Sequence, residues 1–242
     1  MNAIEICGLT KKYKSLTAVD GLELNVKQGE LISLLGVNGA GKTTTIKMLC
    51  GLARPTAGDA RLMGKSIIAD AKEVKGIIGV SPQQTAVGYN LTVRENLELM
   101  CGSHGLGKAE TAERIQDLGQ RLSLSQVMDR RAAKLSGGWQ RRLSIAMALI
   151  SQPQILFLDE PTLGLDVIAR SELWEVIRAL KGNTTVVLTT HYMEEAEALS
   201  DRIAIMKDGR LLMLGSAEEI KAHTGKDRFE DAFIAVVKGA EK

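Results

Sequence analysis

Leu31-Ile32-Ser33-Leu34-Leu35-Gly36-Val37-Asn38-Gly39-Ala40-Gly41-Lys42-Thr43 is the stretch on which the architecture turns, because a largely apolar run breaks off directly into glycines. Its first part, Leu31 to Leu35, follows the turn signal Gln28-Gly29-Glu30 and reads as a strand buried on both faces. The remainder matches G-x-x-x-x-G-K-[ST], a spacing in which glycines let the backbone bend round a phosphate chain with several N–H groups pointing inward. A helix should follow at once, with Ile46 and Leu49 on its apolar face, so that its positive N-terminal end meets the same anion. Lys42 would reach the terminal phosphates, and the Thr43 hydroxyl would ligate Mg²⁺.

Upstream, Leu22, Leu24 and Val26 alternate with Glu23, Asn25 and Lys27, the period of a half-exposed strand. Downstream, Gly76 to Val80, Ile155 to Leu158 and Thr185 to Thr189 repeat the short buried-strand pattern with helical patterns between them. That alternation predicts an α/β fold with a mostly parallel, helix-covered sheet. Arg202 to Lys207 and Arg210 to Leu214 flank Asp208-Gly209, a hairpin signal. The middle third is helical, with Thr92 and Glu95 forming a T-x-x-E capping box ahead of Leu97, Leu99 and Met100. It predicts a helical lobe over residues 88–150, inserted in a core of residues 1–87 and 151–242. A second capping box at Ser216 and Glu219 precedes a last patterned segment around Phe229 to Val237.

Two further elements carry chemistry. Ile155-Leu156-Phe157-Leu158 ends abruptly in Asp159-Glu160, which puts two carboxylates at the C-terminal tip of a buried strand, where ligands sit in open α/β sheets. Asp159 is suited to hold Mg²⁺ through its waters, and Glu160 to act as the general base that orients and deprotonates an attacking water. In Leu135-Ser136-Gly137-Gly138-Trp139, Ser136 can cap a helix whose apolar stripe is Trp139, Leu143, Ala146 and Ile150. Two bare glycines leave the N–H groups of its first turn open, making a second anion site. The phosphate loop and the carboxylate pair together point to binding and hydrolysis of MgATP.

Composition narrows the partners. The chain has 242 residues, 45% hydrophobic and 25% charged, which suffices for a large core without disulfide staples. Aromatics at 3% give no stacking platform for bases, and 31 basic against 29 acidic residues give no phosphate-backbone footprint, so no nucleic-acid partner is expected. Cys7, Cys50 and Cys101 form no C-x-x-C pair, which argues for a reducing compartment and against a zinc site. No stretch approaches the length of a spanning helix, so a membrane role would need a separate partner. Arg130, Arg131, Lys134, Arg141 and Arg142 read as a solvated basic face, with docking to a partner as the alternative.

GVNGAGKT, LSGGW, ILFLDEP and His191 after Thr189-Thr190, in this order and spacing, resemble the ATP-binding cassette family of transporter ATPases over nearly the whole chain. The resemblance implies a P-loop NTPase core with a mostly parallel sheet, an N-terminal antiparallel β subdomain and an inserted α-helical subdomain. It implies ATP and Mg²⁺ as cofactors. Gly36, Asn38, Gly39, Ala40, Gly41, Lys42, Thr43 and Thr44 would cradle the phosphates, and Thr43, Gln83 and Asp159 would serve the metal. Tyr13 would stack on adenine, His191 would contact the γ-phosphate, and Gln83 would sense it and connect to the helical lobe. Two such chains would pack head to tail, Ser136, Gly137 and Gly138 of one contacting ATP held by the other, with Asp166 in the loop between subunits. Intact Glu160 and LSGGW would let a homodimer form two competent sites, a heterodimer being the alternative.

Thr189 to Glu197 and Leu91 to Asn96 look most like the ATPase subunits of drug, antibiotic and ion exporters of the daunorubicin-resistance type. Those work with a separate polytopic membrane permease, implying a cytoplasmic protein held at the inner face of the plasma membrane. An importer ATPase, or a soluble cassette ATPase acting on nucleic acid or the ribosome, shares the same motifs. Met147, Val167 and Trp139 stand where the family more often has arginine, proline and another residue ending the signature; none is a phosphate or Mg²⁺ ligand.

Overall fold

A computed structural model describes residues 1–239, so positions 240–242 of the segment 151–242 lie outside the described residues. In chain order its elements are β1 (Asn2–Tyr13), β2 (Leu16–Lys27), β3 (Leu31–Leu35), α1 (Lys42–Leu49), β4 (Ala57–Leu62), β5 (Lys65–Ser66), α2 (Ala71–Ile77) and β6 (Ile78–Ser81). Then come α3 (Val93–Ser103), α4 (Lys108–Arg121), α5 (Gly137–Leu149), β7 (Ile155–Asp159) and α6 (Val167–Arg178). The last are β8 (Thr185–Thr190), α7 (Met193–Leu199), β9 (Arg202–Lys207), β10 (Arg210–Gly215), α8 (Ala217–Thr224) and α9 (Phe229–Gly239). Two compact units result, one of residues 1–75 with those from 181 onward, the other Gly76–Leu180.

In the first unit β3 is buried at all of its positions, Leu31 to Leu35. β3 is parallel to β8, with Leu31 opposite Val186 and Leu35 opposite Thr190, and parallel to β9, with Leu35 opposite Ile205. Neighbours on both edges explain why the run has no polar alternation. β9 and β10 form the antiparallel hairpin expected around Asp208-Gly209. Helices α7, α8 and α9 cover this layer through Ala196, Ile220, Phe229 and Phe233, packed with Leu35, Ile203 and Ile205. An antiparallel sheet, β2-β1-β4-β5, completes the unit.

Strand β1 escaped the sequence reading for a physical reason. Its pairing with β2 slips between Ile6 and Leu9 and again between Leu9 and Lys11, and Gly8 sits at φ +61°. These bulges put Ala3, Ile4, Ile6 and Leu9 inside without a period of two.

The second unit pairs β6 and β7 in parallel, Ile78 opposite Ile155, and carries α3, α4, α5 and α6. The strand expected from Gly76 begins only at Ile78, because Gly76 and Ile77 finish α2. Val74, Ile77 and Ile78 are spaced three and four apart, so the run satisfies a helical period as well as a strand. Both capping boxes form: Thr92 Oγ1 accepts from Glu95 N and Ser216 Oγ from Glu219 N, each at 3.2 Å. The Thr92 backbone N–H, then its hydroxyl, holds the Glu95 carboxyl below its ordinary range. None of the three cysteines is in a disulfide; Cys50 and Cys101 are buried, and burial pushes the Cys101 thiol up.

At the base of β3 the buried Glu30 accepts from Arg202 Nε at 2.6 Å and from Lys27 N at 2.6 Å, while Arg202 Nη2 donates to Asn25 O at 2.6 Å. One carboxylate thus ties the β2–β3 turn to the start of β9. Glu30→Ala would leave the partly buried guanidinium without its carboxylate and should cost about 2 kcal/mol, read as a lower urea midpoint. An unchanged midpoint would remove this tie from the stability of the first unit.

Candidate functional site

The phosphate loop is shaped by where β3 must be left. A Cβ on Gly36 would run into the Met206 carbonyl oxygen, and Gly36 N–H donates to Thr190 O at 3.4 Å. Glycine is therefore needed for the chain to pass between β9 and the end of β8. Gly41 sits at φ +98°, and a Cβ there would lie 2.5 Å from Ala18 O. The outer side of the loop is pinned to the β9–β10 turn, Gly209 N–H donating to Ala40 O at 3.2 Å.

Gly41 precedes α1 with no side-chain cap bond, so the first-turn N–H groups of Lys42, Thr43 and Thr44 face the concavity of the loop. The buried Lys42 folds back over the turn, its Nζ donating to Gly36 O at 2.7 Å and Val37 O at 3.2 Å. An ammonium and a helix N-terminus thus converge on one exposed arc, Val37, Asn38 and Gly39. Thr43 and Thr44 are half-buried beside it.

His191 directly follows Thr190, whose carbonyl holds Gly36, and its ring packs on Tyr192 with centroids 4.1 Å apart. Tyr13 ends β1, 45% exposed, with Lys11 Nζ 4.9 Å above its ring. The hairpin that carries it meets the loop at Ala18, against Gly41. The first unit thus gathers the loop, Lys42, Thr43, Thr44 and His191, with the Tyr13 hairpin alongside.

In the second unit β7 ends at Asp159, and both Asp159 and Glu160 are buried. Glu160 has φ +47°, a left-handed conformation that a non-glycine residue adopts at a cost of roughly 1 kcal/mol, and its carbonyl accepts from Leu163 N at 3.2 Å. The chain doubles back immediately after the carboxylates. The Thr43 hydroxyl of the first unit, and the Gln83 amide and Asp159 carboxylate of this one, each carry a hard oxygen donor of the kind Mg²⁺ takes alongside phosphate and water.

Ser136 is the N-cap residue of α5, but its hydroxyl makes no cap bond. Ser136 therefore does not play the expected capping role through its side chain, and Ser136 and Gly137 at the head of α5 are exposed. Gly138 packs where its Cβ would meet Ala169 Cβ at 3.2 Å, and Gly137 faces Leu165. Asp166 caps α6, Oδ1 accepting from Ala169 N at 2.9 Å. The signature turn and the Asp166 loop therefore lie side by side within this unit. Gln83 is exposed, in irregular chain just beyond β6.

Arg141 and Arg142 overturn the solvated basic face, for both are buried. Arg141 donates to Pro82 O and Gln83 O, and Arg142 pairs with Glu172 and lies 4.8 Å over the Trp139 ring. For Arg142 the missed signal was helical spacing, since 139, 142, 143 and 146 share one face with the apolar stripe, whereas nothing in the spacing marks Arg141. Arg130, Arg131 and Lys134 are exposed as expected.

Residues 19–163 match the family described as ABC transporter. The daunorubicin resistance ATP-binding protein DrrA3 of Streptomyces coeruleorubidus is 43% identical over 229 residues, covering 94% of this chain and 72% of that protein. The Nod factor export ATP-binding protein I of Ralstonia nicotianae is 41% identical over 221 residues, covering 91% and 69%. A solved ATP-binding subunit of an ABC transporter superposes with TM-score 0.86 at 27% identity, over 97% of this chain and 99% of that one. CbiO1 of Clostridium perfringens, part of the ABC transporter complex CbiONQ, gives TM-score 0.83 at 26% identity over 91% of each chain.

Gly41→Ala should weaken ATP binding at least about tenfold in a calorimetric titration, because the added Cβ can be accommodated only by opening the loop. Wild-type affinity in that variant would mean that the loop's backbone shape is not what holds the nucleotide.

Proposed function

The chain belongs to the ABC transporter family as an ATP-binding, ATP-hydrolysing subunit, and from that premise we propose that it energises export of a drug, antibiotic, ion or lipid-like substrate through a separate membrane permease. Export is favoured because relatives of high identity are named for drug resistance or for Nod factor export. No helix among the described residues is long and apolar enough to cross a membrane, which accords with a subunit docked on a polytopic partner at the inner face of the plasma membrane.

The observation that carries the mechanism is a pair of uncapped helix N-termini in one chain, at Gly41 and at Ser136. We read them as two halves of composite sites. One chain's loop, Gly36 and Asn38 to Thr44, holds the phosphates, and Ser136, Gly137 and Gly138 of a second chain close over the γ-phosphate. Supporting this, Val167 and Ile168, directly after Asp166 and beside the signature turn, are 76% and 72% exposed. An apolar pair left in solvent there suits a subunit interface.

Thr43, Gln83 and Asp159 would hold Mg²⁺, which when bound neutralises phosphate charge. Tyr13 would stack on adenine, and His191 would donate to the γ-phosphate. Glu160 would accept a proton from water as its oxygen attacks the γ-phosphorus and the bond to the β–γ bridging oxygen breaks, leaving ADP and phosphate. Held by a buried strand end and a tight turn, its carboxylate has little freedom to swing away. The helical segment 88–150 would carry the signature turn in and out as the dimer closes and reopens. That motion is the output to the permease.

Glu160→Gln should lower ATP turnover by a factor of about 10² to 10⁴ while keeping nucleotide affinity, and its mass in solution should double when MgATP is added. Adding Ser136→Arg should abolish that dimer. Near-normal turnover would take Glu160 out of the base role, and a dimer that survives Ser136→Arg would take the signature turn out of the composite site.

A further inference from the structure

We propose that Arg141 is a positioning residue that couples the loop at Gln83 to the signature turn at Ser136 to Gly138. Its side chain is 5% exposed, and its two terminal nitrogens donate to consecutive carbonyls, Nη1 to Pro82 O and Nη2 to Gln83 O, each at 2.7 Å. Paired short bonds from one planar cation fix the direction of the peptide they grip as well as its distance. Three residues on, Ser144 Oγ meets Ser81 Oγ at 2.9 Å, so α5 grips the end of β6 and the chain just beyond it at Ser81, Pro82 and Gln83.

The loop so gripped has no regular structure from Pro82 to Gly88, and the Gln83 side chain projects into solvent from it. Without the guanidinium, little would set the peptide plane that aims that side chain. The other end of the lever is short and stiff. Arg141 lies four residues past Gly137, about 6 Å along the axis of the same helix. Arg142 bonds Glu172 of α6 and stacks on Trp139, so the first turns of α5 are braced from within and against α6. A buried guanidinium cannot drop its carbonyls without losing charge-assisted bonds out of reach of water. A shift of Gln83 toward a γ-phosphate would therefore be passed to the N–H groups at the head of α5.

The inference rests on the proposed roles of Gln83 and of the signature turn. Its test is a double-mutant cycle on steady-state ATPase of the full chain, with Arg141→Met, Gln83→Ala and both together. Arg141→Met should lower kcat about tenfold with KM and the ATP affinity of the monomer within about twofold. The double variant should be no slower than Gln83→Ala, because a positioning residue has nothing left to position. Arg141→Lys, which reaches one carbonyl, should recover part of the turnover. If Arg141→Met does not fold, the same cycle run with Arg141→Lys decides. Losses that multiply in the double variant, or wild-type turnover after either change at Arg141, overturn the proposal while leaving the composite site standing. Wild-type turnover in Gln83→Ala would instead strike at the underlying reading, and the proposal would fall with it.

Discussion

A strand with hydrogen-bonded neighbours on both edges and side chains covered on both faces has to be left by a residue that takes almost no room. β3 meets that condition at Gly36, beneath the Met206 carbonyl and bonded to Thr190 O. The rest of the first unit's site follows from this exit. The chain cannot continue straight, so it curls, and the curl is kept open by Gly41 against Ala18 and by Ala40 against Gly209. Lys42 then fills the curl from within by bonding its first two carbonyls. A phosphate entering the arc, as proposed, would find donors already aimed and would need little reorganisation on binding.

The second unit solves a related problem with a different chemistry. Its helix head at Ser136 is kept open by Gly137 and Gly138, whose missing side chains let α6 approach at Ala169 and the loop before it at Leu165. The two arginines that follow on the helix are turned inward, Arg141 to the carbonyls of Pro82 and Gln83 and Arg142 to Glu172. The turn itself therefore offers N–H groups and a hydroxyl where the first loop offers an ammonium as well. In the proposed composite site such a turn would hold an anion less firmly by itself and would suit one presented by another molecule.

What the sequence disclosed depended on how local each signal was. The buried strand, the loop and the following helix are contiguous, as are the hairpin at Asp208-Gly209 and the two capping boxes, and each was readable from a window of a dozen residues or fewer. β1 was not, because bulges at Gly8 and beyond destroy the period of two. The strand after Val74 was placed too early, since one apolar spacing satisfies helix and strand alike. For the candidate site, the strand-end carboxylates and the glycine turns were visible as residue types at element ends. The left-handed backbone of Glu160, the free hydroxyl of Ser136 and the inward arginines were not, since each depends on what packs against it from elsewhere in the chain. Charge in sequence says nothing of direction. Two adjacent arginines that look like a wet surface turn out to be the bolts of a helix.

Trp139 has a further consequence. The protein has two tryptophans, and one of them sits in the first turn of α5, half-buried, with the Arg142 guanidinium 4.8 Å from its ring. Indole emission shifts with local polarity and with nearby charge. The signature turn thus carries its own optical label. With Trp174 replaced by phenylalanine, the remaining emission would follow the proposed opening and closing of that turn in real time, with no dye attached.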